Sequence, residues 1–220
     1  MTLASAAAKD ARTMSQALFI VLDGLDGTGK STQCRLLAEW LRAQGRVVQI
    51  CTDPGGTEVG KVLRALLLEH KNALTLPCEA LLFMASRAQL VDEVIRPALA
   101  QGQVIICDRF LLANVVYQGH AGGLDPKLLW QIGHMVTGGL EPDLTLVLDL
   151  PPQVASARLT GPRDRLESRP LDYQQRVREG FRTEALAHPD KMRILNATGS
   201  IEKVQAAVRH EVQAYLEMVK

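Results

Sequence analysis

One run in this sequence combines residue type and spacing in a way that dictates a chemistry. Gly24-Leu25-Asp26-Gly27-Thr28-Gly29-Lys30-Ser31 is a complete G-x-x-x-x-G-K-S, with Thr32 directly after it. Glycines let successive backbone N–H groups face inward, which makes a concave cradle for phosphate oxygens. A helix opening at the end of the run adds the partial positive charge of its N-terminus. Lys30 is then placed to reach the outer phosphates, and the Ser31 hydroxyl to ligate Mg²⁺. The run follows the apolar string FIVLD and precedes TQCRLLAEWL, the strand-then-helix context that such a loop requires. Residues 24–32 are therefore the expected nucleoside triphosphate site. A GTPase would carry an Asn-Lys-x-Asp string, which is absent, and a motor ATPase is usually a larger chain. A small metabolite kinase fits best.

A second group of residues suits the acceptor. Val104-Ile-Ile-Cys-Asp108-Arg109 ends an apolar run with a carboxylate and a guanidinium, where strand ends open into the ligand crevice of a parallel sheet. Asp108 suits either a metal-bound water or the orientation of an arginine. Arg109, with its planar fork, suits an acceptor phosphate. Asp149 ends a similar run and reads as structural. Phe83 and Arg87 stand four apart on one helical face, as a ring to stack on a base and a donor to its carbonyl. Asn114 and Tyr117 stand three apart, the first suited to a base edge and the second to a sugar. Arg158, Arg163, Asp164, Arg165, Glu167 and Arg169 fall in or beside the polar stretch 160–170, which reads as an exposed flap. The phosphate loop holds no basic residue besides Lys30. Phosphoryl transfer spreads negative charge over the moving group, so the flap is the natural source of a compensating arginine.

The elements that must position these residues follow from periodicity. Short apolar runs at 17–22, 47–51, 104–107, 144–150 and 193–195 suit strands buried on both faces. Amphipathic patterns at about 30–44, 58–69, 78–100, 126–138, 152–160, 170–187 and 201–218 suit helices, with Pro77 and Pro126 in first turns and Ser200 as an N-cap. This alternation predicts a doubly wound α/β fold with a parallel five-stranded sheet. The domain reading is one P-loop kinase domain over 16–220 with a short mobile lid at about 158–170. The Ala- and Ser-rich residues 1–15 read as a flexible tail.

Composition narrows the partners. Lys plus Arg number 25 against 24 for Asp plus Glu, so the basic excess expected of a protein that binds nucleic-acid polymers is missing. The four cysteines and five histidines are scattered without a zinc-like spacing, which suits reduced thiols in the cytoplasm. No run approaches the roughly 20 apolar residues of a membrane span.

Taken in order, DGLDGTGKSTQ, DPGGTEVG (53–60), LLFMASRAQL (81–90), CDRFLLANVVYQG (107–119), EPDLTLVLD (141–149) and the flap DRLE (164–167) resemble the bacterial thymidylate kinases. The resemblance covers about nine-tenths of the chain. It implies Mg²⁺-dependent transfer from ATP to dTMP, yielding dTDP, in a homodimer packed through helices that include 78–100. It also implies roles. Asp26 lies between the two phosphates; Phe83 stacks on thymine; Arg87 addresses its O4; Asn114 reads its N3 edge. Arg109 holds the acceptor phosphate with Asp108 beside it, and Tyr117 disfavours a ribose 2′-hydroxyl. Arg158, Arg163 or Arg165 is the flap arginine, and Ser31 the Mg²⁺ ligand with Glu167 assisting through water.

The chain departs from many relatives at Asp23-Gly24, where Glu-Gly is common, and at Thr52-Asp53-Pro54-Gly55, where Arg-Glu-Pro-Gly is common. Without an arginine at 52, the part played by Asp53 and Pro54 beside the substrate is open. Ala113 replaces a common serine or threonine. Competing readings are a P-loop kinase for another monophosphate or nucleoside, and a nucleotide-binding module without catalysis.

Overall fold

The computed structural model describes residues 17–69 and 73–219; the tail expected over 1–15 lies outside the described residues. The five apolar runs form the strands β1 (Leu18–Gly24), β2 (Val48–Thr52), β3 (Val104–Asp108), β4 (Leu144–Asp149) and β5 (Met192–Asn196). They pair in the order β2-β3-β1-β4-β5, all parallel. The central strand β1 is buried along its whole length because helices cover both faces. Edge strand β2 is exposed at its middle residues. Parallel pairing sends every carboxyl end to one edge of the sheet, so Gly24, Thr52 and Asp108 finish close together, with Thr52 in register with Asp108.

The helices are α1 (Lys30–Ala43), α2 (Glu58–Leu68), α3 (Leu76–Leu90), α4 (Arg96–Ala100), α5 (Leu111–Asn114), α6 (Pro126–Thr137), α7 (Pro152–Arg158), α8 (Leu171–Ala187) and α9 (Ile201–Met218). On one face of the sheet, Ile20 and Leu22 pack with Leu37, Val177 and Val208 from α1, α8 and α9. On the other, Phe19, Val21 and Ile105 pack with Met84 and Leu129 from α3 and α6. Each such fully buried side chain contributes roughly 1.5–3 kcal/mol, which anchors the strand ends that carry the site.

Helix starts follow their sequence signals. Thr57 accepts from the Gly60 N–H at 2.9 Å, Asp125 from that of Lys127 at 2.9 Å, and Ser200 from that of Lys203 at 3.4 Å. Helix α1 differs. Gly29 precedes it at φ +94° with no side-chain cap, and its first turn holds no acidic residue. Its leading N–H groups and their positive end are left for an anion.

Two helical segments depart from the sequence reading. The helix expected over 78–100 starts at Leu76 and is divided by a π-helical turn, Val91–Ile95. Pro97 has no N–H to return to the preceding turn, so the regular ladder breaks just before it. The other is 111–120, where no helix is expected. Here α5 continues into a π-helical turn, Val115–His120. Its β-branched residues and Gly119 argue against a helix locally, and near-complete burial overrides them.

Candidate active site

The phosphate loop bridges β1 and α1. Gly24 sits at φ +132°, and a Cβ there would lie 2.5 Å from the Leu148 carbonyl oxygen. At Gly27 a Cβ would lie 2.1 Å from the Ala155 carbonyl oxygen, so only glycine lets the loop pass that closely. Lys30 is buried and its Nζ donates to the carbonyls of Leu25 at 2.8 Å and Gly24 at 3.3 Å. Burial and the nearby Arg109 guanidinium lower its pKa, while Asp26, Asp108 and Asp23 oppose that shift. Asp26 to Ser31 and Thr32 line one side of a wide cleft, whose other walls include Asp108, Arg109 and Arg158. Leu25 is itself buried and Thr28 Oγ1 donates to its carbonyl, so both shape the loop from within.

Ser31 Oγ donates to Asp108 Oδ2 at 2.5 Å. This places two hard oxygen donors at the mouth of the cradle, a set that fits Mg²⁺ arriving with phosphate oxygens and its own waters. Among the described residues no group of three or more His, Cys, Asp or Glu could hold a metal by itself. Glu167 lines the same cleft from the flap, and burial raises its pKa.

Arg109 follows β3 with φ +69°, an uncommon backbone state for a residue with a side chain. Its N–H donates to the Leu22 carbonyl at 3.0 Å, and the Cys107 thiol donates to its carbonyl at 2.9 Å. The turn swings the guanidinium back over β1. There it meets Asp26 at 2.6 Å, Asp23 at 3.3 Å, the Gly24 carbonyl at 2.9 Å and the Tyr117 hydroxyl at 3.1 Å. Burial alone would raise the Asp26 pKa, but Arg109 and Lys30 outweigh it and hold the carboxyl at about 2. For Asp23 the balance reverses. Complete burial dominates, Arg109 and Lys30 only partly offset it, and the pKa rises to about 6.

A narrower pocket adjoins the wide cleft. Phe83, Arg87, Asn114, Tyr117, Asp53 and Pro54 all line it, and Asp26 and Arg109 stand at the junction of the two. Arg87 is only 1% exposed. It donates to Asp53 Oδ2 at 2.6 Å, Asn114 Oδ1 at 3.1 Å and the Phe110 carbonyl at 3.3 Å. The Asp53 carboxylate thus holds the Arg87 guanidinium in the pocket wall. Asp108, expected beside the acceptor, lines the wide cleft with Ser31 rather than this pocket.

The flap arginines divide. Arg158, at the end of α7, faces the wide cleft and donates to the Ala197 carbonyl at 3.1 Å. Arg163 faces a neighbouring cleft with Asp26 and Glu167. Arg165 points elsewhere, donating to the Leu67 carbonyl at 2.9 Å and pairing with Glu79 at 2.6 Å.

Sequence reading misses Arg64 and Gln118. Arg64, on α2, lines both the narrow pocket and the wide cleft and donates to the Pro54 carbonyl at 3.0 Å. Gln118 lines the pocket one residue after Tyr117 and four after Asn114. That helical spacing is the signal, and it is invisible while 110–119 is not read as a helix.

A phosphate cradle opening on a base-sized pocket, at the carboxyl ends of a parallel sheet, defines a P-loop kinase that works between two nucleotides. The thymidylate kinase family model matches residues 22–208. Thymidylate kinase of Rhodopirellula baltica is 46% identical over 189 residues, 86% of this chain and 77% of that protein. That of Symbiobacterium thermophilum is 46% identical over 201 residues, 90% and 94% of the two chains. The crystal structure of thymidylate kinase from Ehrlichia chaffeensis superposes with a TM-score of 0.75 at 28% identity, covering 89% of this chain and 98% of that one. The chain belongs to the thymidylate kinase family, and its reaction is the ATP-dependent phosphorylation of dTMP to dTDP.

Proposed function

We propose that the two clefts hold donor and acceptor end to end, ATP in the wide cleft and dTMP in the narrow pocket. The observation that carries this is the position of Asp26 and Arg109, which line both clefts at their junction. Phe83 stacks on thymine, Arg87 addresses O4, Asn114 accepts from N3–H, and Tyr117 presses on the sugar. Arg109 and Arg64 bind the acceptor phosphate. Asp53 and Pro54 shape the pocket wall, Asp53 by orienting Arg87.

An oxygen of the dTMP phosphate attacks the γ-phosphorus of ATP as the bond to the β,γ-bridging oxygen breaks, and ADP leaves. The nucleophile is already ionised at neutral pH, so no general base is needed. Catalysis is alignment plus charge neutralisation by Lys30, Arg109 and a flap arginine. Arg158 is favoured for that last role because it faces the donor cleft, with Arg163 next and Arg165 held on Glu79. Ser31, with Asp108 and Glu167 through water, would hold Mg²⁺, which supplies positive charge to the donor phosphates.

Exposed Val59 and Val62 on α2 and Leu81 on α3 support a homodimer through that face. All four cysteines are free thiols, which supports a cytoplasmic setting. Among the described residues no helix is long and apolar enough to cross a membrane.

The test is a coupled ADP-release assay with ATP, Mg²⁺ and dTMP, dUMP, dCMP, AMP or thymidine as acceptor. Strong turnover with dTMP, weaker with dUMP and little with the others is expected. Preference for another acceptor would remove the roles given to Arg87 and Asn114.

A further inference from the structure

Glu79 lies on α3 outside both clefts, yet it is 1% exposed and wholly engaged. Arg169 donates to its two oxygens at 2.8 and 2.7 Å, Arg165 pairs with it at 2.6 Å, and Gln118 Nε2 donates at 2.7 Å. The contacts continue inward. Asn114 Nδ2 donates to Gln118 Oε1 at 2.8 Å, and Arg87 donates to Asn114 Oδ1 at 3.1 Å. Every partner of Glu79 is a donor, so its carboxylate acts only as an acceptor. That sign fixes the amides beyond it. Gln118 must turn its NH₂ to Glu79 and its oxygen to Asn114. Asn114 must then turn its NH₂ to Gln118 and its oxygen to Arg87, a guanidinium that can only donate and so holds the same sense from the other end.

We infer that Glu79 is a positioning residue for base specificity, fixing Gln118 so that it holds the polarity of Asn114 together with Arg87, and tying that polarity to the docked flank of the flap. The inference rests on the pocket assignment above and extends it to Glu79, which lines neither cleft. An oxygen presented at Asn114 accepts from the N3–H of thymine. It opposes the bare N3 acceptor of cytosine. Discrimination between these bases therefore depends on a charge one residue behind the pocket wall. Arg165 and Arg169 hold that charge in place from the flap side. Tyr173 strengthens the same anchor, since its hydroxyl receives from Arg169 and donates to the Tyr117 carbonyl at 2.5 Å.

The experiment compares the inhibition constant of dCMP with the KM of dTMP in wild type, Glu79→Gln and Gln118→Met, with the KM of ATP measured alongside. A glutamine at 79 can offer either an oxygen or an NH₂, which frees Gln118 to reverse and turn its NH₂ on Asn114, leaving Arg87 alone to hold that amide. Methionine at 118 cuts the relay without adding charge. The expected result is that the ratio of dCMP Ki to dTMP KM falls about tenfold in both variants, while the ATP KM stays within about twofold. An unchanged ratio in Glu79→Gln overturns the inference. Should Glu79→Gln not fold, Gln118→Met alone decides by the same ratio. If the wild type shows no preference for dTMP over dCMP, the pocket assignment itself fails, and this inference with it.

Discussion

Arg87 and Asp53 form an ion pair at 2.6 Å with both side chains almost wholly out of water, 1% and 0% exposed. Isolated buried charges are costly, so each partner requires the other. Burial raises the Asp53 pKa, and Arg87 opposes that rise. The pair links β2, which ends just before Asp53, to α3, and so fixes the pocket wall. Arg87→Met should therefore show two separable effects. Stability falls by about 3–5 kcal/mol because Asp53 loses its countercharge, and dTMP affinity falls more than ATP affinity. Adding Asp53→Asn should recover most of the stability and none of the dTMP affinity. Denaturant unfolding and calorimetric titration measure these independently.

Lys30 is the one basic residue of the phosphate loop, and its contacts are within that loop, to the Leu25 and Gly24 carbonyls and, at 3.8 Å, to the Asp26 carboxylate. Lys30→Ala is expected to lower kcat by about 10³-fold or more with the fold retained. Circular dichroism and turnover check this together; near-normal turnover would rule out the assigned mechanism.

Arg158 and Arg165 provide a test within one flap. Arg158→Ala should reduce kcat by roughly 10²-fold or more with a small change in melting temperature. Arg165→Ala should chiefly alter stability and dTMP KM, because its contacts are to Glu79 and the Leu67 carbonyl. Equal losses of kcat in both would overturn this division.

The pKa values of Asp23 and Asp26 are shifted in opposite directions although both carboxylates contact Arg109. The folded pKa of Asp26 is depressed to about 2, so its stabilising contribution is present above the unfolded value near 4 and is lost as pH falls through about 2. The folded pKa of Asp23 is raised to about 6, so its ionisation opposes folding; that cost is absent below about pH 4 and complete above about pH 6. Carboxyl ¹³C shifts should show Asp23 titrating near 6, with Asp26 ionised throughout. In urea unfolding, Asp23→Asn should remove a loss of stability of about 3 kcal/mol that wild type suffers between pH 4 and 6. A wild-type curve flat across that window would refute the assignment.

Much of this site is legible in the sequence because its signals are local. The glycines, Lys30 and Ser31 fall within eight consecutive residues, and Phe83 with Arg87 has helical spacing, so chain order alone places them. The five strands are legible because each is a short apolar run, and β1 is buried at every residue. What stays hidden is pairing across the fold. Nothing near Glu79 indicates that residues 165 and 169 come to rest on it. Nothing near Asp53 points to Arg87, 34 positions away. The helix at 111–120 is hidden for a different reason: its composition disfavours a helix, and tertiary burial prevails. Gln118 is lost with it.

The folded-back Lys30 bears on how the donor is received. With its ammonium seated on the Leu25 and Gly24 carbonyls, the lysine acts as a placeholder in its own cradle. Arrival of a triphosphate would exchange those two carbonyls for anionic oxygens, with Asp26 at 3.8 Å the carboxylate they compete with, and would ask only the lysine side chain to move. Recognition then resembles ion exchange on a rigid resin: little chain ordering, a favourable heat, and an affinity that weakens as salt competes for the same cation.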